Sequence, residues 1–125
     1  FVFSQLGEIL AQIKNKRRIG LCIDTAHLFA AGYDFRTPSS FKKVLKEANN
    51  FFDLSVIKMF HLNDTTAKLA SNIDRHYYIS EGEIGLDGFK TLLKVKDFAE
   101  CIGICETPEE EDQNHQRAIA ILKNI

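Results

Sequence analysis

An α/β fold of parallel βα units is the class this sequence predicts, and two observations carry that prediction. Short β-rich runs alternate with longer stretches of helical period, an order that suits a parallel sheet flanked by helices rather than a helical bundle or a sandwich. Each of the three β-rich runs also ends at a residue able to bind a metal ion, namely Asp24, His61 and Glu106.

The chain opens in an amphipathic pattern, with Phe3, Leu6, Ile9, Leu10 and Ile13 on one helical face. The first strand is read over 19–23 and ends at Asp24. Thr37-Pro38-Ser39-Ser40 then starts a helix, with Pro38 in its first turn and Phe41, Val44, Leu45, Ala48 and Phe52 as its apolar stripe. The second strand, 56–60, ends at His61 and is followed by a long polar connection from Leu62 to Asp87 before the helical pattern of Phe89, Leu92 and Leu93. A connection of that length inside a compact domain is usually functional. The third strand, 102–105, ends at Glu106. Thr107-Pro108 and the acidic run Glu109–Asp112 lead into a last helix carrying Ala118, Ile119, Ile121 and Leu122, acids being favourable at a helix N-terminus. Three βα units do not close a barrel, since an eight-unit TIM barrel takes about 250 residues. A partial TIM barrel with two open sheet edges is therefore expected, its functional residues on the loops at the C-terminal ends of the strands.

The 125 residues are 45% hydrophobic and 26% charged, the proportions of a single globular domain, 1–125, rather than of a disordered or fibrous chain. No apolar stretch approaches the ~20 residues a spanning helix requires. The N-terminus has no secretory pattern, so a cytoplasmic location is expected and no membrane partner. Phe1 stands first and a helical pattern begins at once, as in a chain that starts within a longer protein. Cys22, Cys101 and Cys105 are odd in number and form no CxxC pair, so they read as reduced, buried thiols. The net charge of −1 offers no basic surface for nucleic acid, which counts weakly against such a partner.

Among residues that carry chemistry, Asp24 and His27 are spaced so that one turn of helical backbone brings both to one face. On its own this pair reads more readily as a capping aspartate beside a surface histidine. In an extended segment Asp74 and His76 point to the same side while Arg75 points away; the alternative is an exposed salt-bridge cluster. Carboxylate oxygens and neutral imidazole nitrogens bind zinc at ~2.0–2.2 Å, and three protein ligands leave a position open for water. Glu81 and Glu83, in the segment Ser80–Gly85, read as a loop-to-helix turn capped by Asp87. Glu106, at a strand end before Thr107-Pro108, is costly there unless paired or bound to metal. His115 reads as a surface residue, Phe29, Phe51, Phe52, Phe60 and Phe89 as core, and Tyr33, Tyr77 and Tyr78 as packed, with nucleotide stacking as the alternative.

The sequence from Arg18 to Asp34, with HLND at 61–64, DRH at 74–76, EGEIG at 81–85 and ETP at 106–108, resembles the endonuclease IV family in order and spacing over nearly the whole chain. The resemblance implies a xylose isomerase-like TIM barrel of which residues 1–125 are the three C-terminal βα units, the N-terminal half being absent. It implies three zinc ions and cleavage of double-stranded DNA 5′ to an abasic site in base-excision repair. By motif, Asp24, His61 and Glu106 correspond to ligands of one zinc and are its catalytic residues, while His27, Asp74 and His76 correspond to ligands of another; at most two of the three sites are represented. The chain departs from the family pattern at Thr65-Thr66, where a lysine is often found, and at Ser80, where a glycine usually stands. The alternatives are a metal-dependent sugar isomerase or epimerase on the related barrel, against which the HLND, DRH and EGEIG series speaks, and a non-catalytic remnant that self-associates through its open sheet edges.

Overall fold

The computed structural model describes residues 2–108 and 114–125; the acidic run Glu109–Asp112 lies outside the described residues. The elements follow in the order α1 (Phe3–Gln12), β1 (Leu21–Asp24), α2 (Thr25–Ala30), α3 (Pro38–Ala48), β2 (Ile57–His61), α4 (Gly85–Leu93), β3 (Ile102–Ile104) and α5 (Asn114–Lys123). A 3-10 turn precedes each strand, at Lys16–Arg18, Leu54–Val56 and Lys96–Phe98. The sheet is parallel in the order β1-β2-β3, with Asp24 paired to His61 and His61 to Ile104. The alternation of strand and helix thus gives the α/β architecture expected of it.

Parallel register puts partnered residues on the same side of the sheet. Ile23 and Phe60 pair and are both buried, facing the helices. There they meet a core that includes Leu28, Phe41, Val44, Ala48 and Phe98. Phenyl rings run through it in sequence: Phe29 against Phe35, Phe35 against Phe41, Phe41 against Phe98, and Phe98 against Phe60 at 4.9 Å. The α3 start is well specified, because Thr37 accepts from the Ser40 N–H, Ser40 returns a bond to the Thr37 N–H, and Pro38 occupies the first turn.

The opposite face carries Cys22, Met59 and Ile102 in one register row and Asp24, His61 and Ile104 in the next. Among the described residues no helix covers it. Ile102 is 59% and Ile104 40% exposed, and Cys22 is exposed where a buried thiol was expected. Other expectations need adjustment for local reasons. β1 begins at Leu21 rather than Ile19, which still belongs to the exit from the 3-10 turn and is exposed. Ile9 falls at the edge of the α1 stripe and is 57% exposed. Phe51, at the turn after α3, lies over Gly7, whose missing side chain leaves room for it, and stays half out of the core while Phe52 enters. Asp87 sits in the first turn of α4 and Ile84 at its cap, with no side-chain cap bond. Ile119 is exposed on α5, whose inward residues are Ala118, Ile121 and Leu122.

Candidate metal centre

Asp24 ends β1 and caps α2. Its Oδ1 accepts the His27 N–H at 3.0 Å, which fixes the carboxylate and sets His27 one turn further on, as the i to i+3 spacing requires. The other oxygen, Oδ2, accepts from Asn63 Nδ2 at 2.8 Å and lies 3.5 Å from His76 Nε2 and 3.7 Å from His61 Nδ1. His61 ends β2, and its Nδ1 is 2.8 Å from Glu106 Oε2. Glu106 follows β3 by two residues rather than closing it, and is partly exposed.

Asp74 and His76 come to the same place from the long connection, 62–84, which one buried carboxylate organises. Asp64 accepts four backbone N–H groups: those of Thr65 (2.8 Å) and Ile84 (3.0 Å) on Oδ1, and those of Gly82 (3.1 Å) and Gly85 (3.2 Å) on Oδ2. Burial pushes the Asp64 carboxyl above its ordinary range, and the four donors oppose that shift. Any side chain at Gly82 would meet the Asp64 carboxylate and the Thr65 carbonyl, so the glycine is needed for close approach. An antiparallel bridge between Asp64 and Tyr77 then draws 74–76 alongside. The far end of the loop docks on α2 through bonds from Ala70 N to Phe29 O and from Asn72 N to Ala30 O.

The result is two groups whose candidate ligand atoms lie within 4.8 Å of one another, Asp24 with His27 and His76, and Asp24 with His61 and Glu106. Asp74 Oδ1 is 3.0 Å from His27 Nε2 and 3.8 Å from His76 Nε2. Both of these nitrogens are buried and have no hydrogen-bond partner among the described residues, so the 3.0 Å approach of Asp74 lacks hydrogen-bond alignment. Nitrogen and oxygen atoms gathered at close range without bonding one another are what a cation between them would produce. All six residues singled out from the sequence are brought together. A small cavity of about 240 Å³ adjoins them, lined in part by His27, Asn72 and Asp74. The larger cavity, about 580 Å³, lies between α3 and α4 among Arg36, Lys42, Lys90 and Lys94 and holds none of them.

Three residues were passed over in the sequence. Asn63, Asp64 and Thr25 are fully buried polar groups at the site. Thr25 Oγ1 accepts from Asn63 N and is within bonding distance of the Asn63 and His61 carbonyls, tying the ends of β1 and β2 together. The other candidates behave as ordinary structure. Glu81 pairs with Arg117, Tyr33 is buried and accepts from Phe3 N, Tyr77 and Tyr78 pack on each other at 5.1 Å, and His115 is half-buried on α5 rather than on its solvent face.

Residues 2–125 match the family described as the xylose isomerase-like TIM barrel. A probable endonuclease 4 of Chloroflexus aurantiacus is 38% identical over 124 residues, covering 98% of this chain and 44% of that protein. The apurinic-apyrimidinic endonuclease 1 of Plasmodium berghei is 41% identical over 107 residues, covering 86% of this chain and 21% of that one. The crystal structure of endonuclease IV from Thermus thermophilus superposes with a TM-score of 0.80 at 25% identity, covering 98% of this chain and 42% of that chain. The chain therefore spans less than half the length of the curated relatives it matches. With a parallel β1-β2-β3 sheet and a family match over nearly its whole length, the chain belongs to the xylose isomerase-like TIM barrel family.

Proposed function

We propose that this chain is the C-terminal part of a zinc-dependent apurinic/apyrimidinic endonuclease that hydrolyses the phosphodiester 5′ to an abasic site in double-stranded DNA. Asp24, His61 and Glu106 would hold one zinc, and His27, Asp74 and His76 another. The observation that carries this reading is the pair of buried, unpartnered nitrogens, His27 Nε2 and His76 Nε2, facing the carboxylates of Asp24 and Asp74. A buried polar atom left without a partner costs about 1–3 kcal/mol, and carboxylates brought close together repel; a divalent cation offsets both. The donor set of imidazole nitrogens and carboxylate oxygens suits zinc. Zinc, when bound, activates water near neutral pH and offsets charge at a phosphodiester.

The chain's own residues supply orientation. The Asp24 carboxylate is fixed by the His27 N–H and the Asn63 amide, and Glu106, whose backbone N–H donates to Asn63, brings its carboxylate to His61. The net charge of −1 leaves attraction of DNA to the cations and to chain beyond this segment. An abasic nucleotide is cheaper to unstack than a paired one, which favours damaged over intact duplex.

The test is zinc content together with cleavage of a duplex carrying one abasic site, on this chain and on a longer chain with the family's upstream ligands. Only the longer protein is expected to bind about three zinc ions and cut. Sugar turnover by that protein with abasic DNA left intact would transfer it to isomerase or epimerase chemistry. A longer protein that neither binds zinc nor cuts would overturn the enzymatic reading.

A further inference from the structure

We propose that Asn63 is a positioning residue that presets the two carboxylates, Asp24 and Glu106, on which one of the proposed zinc sites depends; the inference rests on that reading of the site. Asn63 is fully buried between the strand ends. Its Oδ1 accepts the Glu106 backbone N–H at 2.7 Å, while its Nδ2 donates to Asp24 Oδ2 at 2.8 Å and approaches Glu106 Oε2 at 3.4 Å.

These contacts leave the amide only one orientation. Turned over, it would set an NH2 donor against the Glu106 N–H and an oxygen against two carboxylates. The backbone on either side is held as firmly, since Thr25 Oγ1 bonds the Asn63 N–H and lies 2.6 Å from its carbonyl oxygen. Asn63 thus has a fixed acceptor side, which holds the chain after β3 in place, and a fixed donor side, which faces two negative groups that would otherwise repel. The donor takes up one lone pair of Asp24 Oδ2, so the carboxylate reaches the site already turned, with Oδ1 committed to the His27 N–H. Such outer partners typically contribute roughly 10- to 100-fold in metal affinity.

The residue also explains why Glu106 can serve although β3 ends two residues earlier. The segment 105–108 is outside the strand, and the bond from the Glu106 N–H to Asn63 takes the place of the missing ladder bond. Asn63 therefore links three ligand-bearing positions: His61 two residues before it, Asp24 on β1, and Glu106 after β3.

Two substitutions and two readouts test this. In N63A both sides of the amide are lost; in N63D the acceptor for Glu106 N–H is kept and the donor is lost. Cobalt(II) titration of the 125-residue chain, followed by visible absorption, reads the site, and amide hydrogen exchange without metal reads the Glu106 N–H. The expected result is roughly a 10- to 100-fold weaker cobalt affinity in N63A, with loss of Glu106 N–H protection. For N63D the expected result is retained protection with a changed cobalt spectrum. Wild-type affinity in N63A, or a wild-type cobalt spectrum in N63D, overturns the proposal. Should N63A fail to fold, N63D decides by its spectrum. Should the wild-type chain bind no cobalt, the zinc reading fails for this chain, and exchange then decides the positioning role: Glu106 N–H deprotected in N63A with the remaining amides unchanged sustains it, and unchanged protection overturns it.

Discussion

Replacing Asp64 by asparagine tests whether one carboxylate organises the connection that carries Asp74 and His76. The two side chains have nearly the same shape, so packing is conserved and only hydrogen bonding changes. Asp64 accepts from Thr65, Gly82, Ile84 and Gly85. The asparagine oxygen keeps two of these bonds, and its NH2 group faces two N–H donors it cannot satisfy. Each stranded buried donor costs about 1–3 kcal/mol. Part of this returns through relief of burying a charge, the effect that pushes the Asp64 carboxyl up. A net loss of about 2–3 kcal/mol is expected for D64N, measured by urea denaturation. Hydrogen exchange should show the N–H groups of Gly82, Ile84 and Gly85 released together, while those of β1 and β2 change less. D64N within about 0.5 kcal/mol of wild type, with those three amides still protected, would refute the assignment of Asp64 as the organiser of the loop.

Other expectations follow from single features of the structure. Ser80 has φ of 73°, a conformation costing a non-glycine residue roughly 1–2 kcal/mol, so S80G should stabilise by about 0.5–1 kcal/mol after the added chain entropy of glycine; a lower melting temperature would count against strain at this position. The Asp34 carboxyl is held below its ordinary range by the Arg36 guanidinium, so its contribution is present above the unfolded value of about 3.9 and is lost as pH falls through the lower folded value. Because the pair is partly exposed, D34N should cost less than about 1 kcal/mol at neutral pH, with the difference vanishing in acid; a difference that grows below about pH 4 would reverse the sign argued here. The uncovered sheet face at Ile102 and Ile104 and the edges of β1 and β3, unpaired among the described residues, predict self-association. Sedimentation should show mass rising with concentration, and a monodisperse, cooperatively melting monomer would contradict it.

The fold was legible because it rests on local signals, β-rich runs and helical period; of the six candidate ligands, Asp24, His61 and Glu106 stood out as a ligand type at each strand's end, whereas His27, Asp74 and His76 rested on spacing and on the motif resemblance. Strand limits were less legible, since the 3-10 turns at Lys16–Arg18 and Leu54–Val56 have apolar residues at their margins that imitate strand. Asn63 was within reach. It stands two residues after His61, so extended geometry places it on the same side, and a polar residue there is as suggestive as the histidine. Asp64 was not, because its four partners include Gly82, Ile84 and Gly85, about 20 residues away, and no periodicity reports such a pairing. Cys22 was read as buried from cysteine number and spacing alone, which say nothing of the face a strand residue points to, and among the described residues only the Ile23 side has a helix layer.

The two proposed sites are held by different kinds of structure, and that difference predicts an order of loss. Asp24, His61 and Glu106 sit at or just past paired strand ends, tied together by Thr25 and Asn63. His27 shares the rigidity of Asp24 through the α2 cap, but Asp74 and His76 depend on a loop with positive φ at Ala70, Asn72 and Ser80 and on the bonds gathered by Asp64. Asp74 itself is 72% exposed. Local opening draws on the elements with the fewest buried contacts and the most backbone strain, so mild denaturant should release the loop while the sheet persists. In a cobalt-loaded protein under increasing urea, absorption belonging to His27, Asp74 and His76 should fade before that of the strand-end group, and H76A should remove the early step alone. A single transition for both, unchanged by H76A, would mean that the loop and the sheet form one cooperative unit and that Asp64 binds them more tightly than its four hydrogen bonds imply.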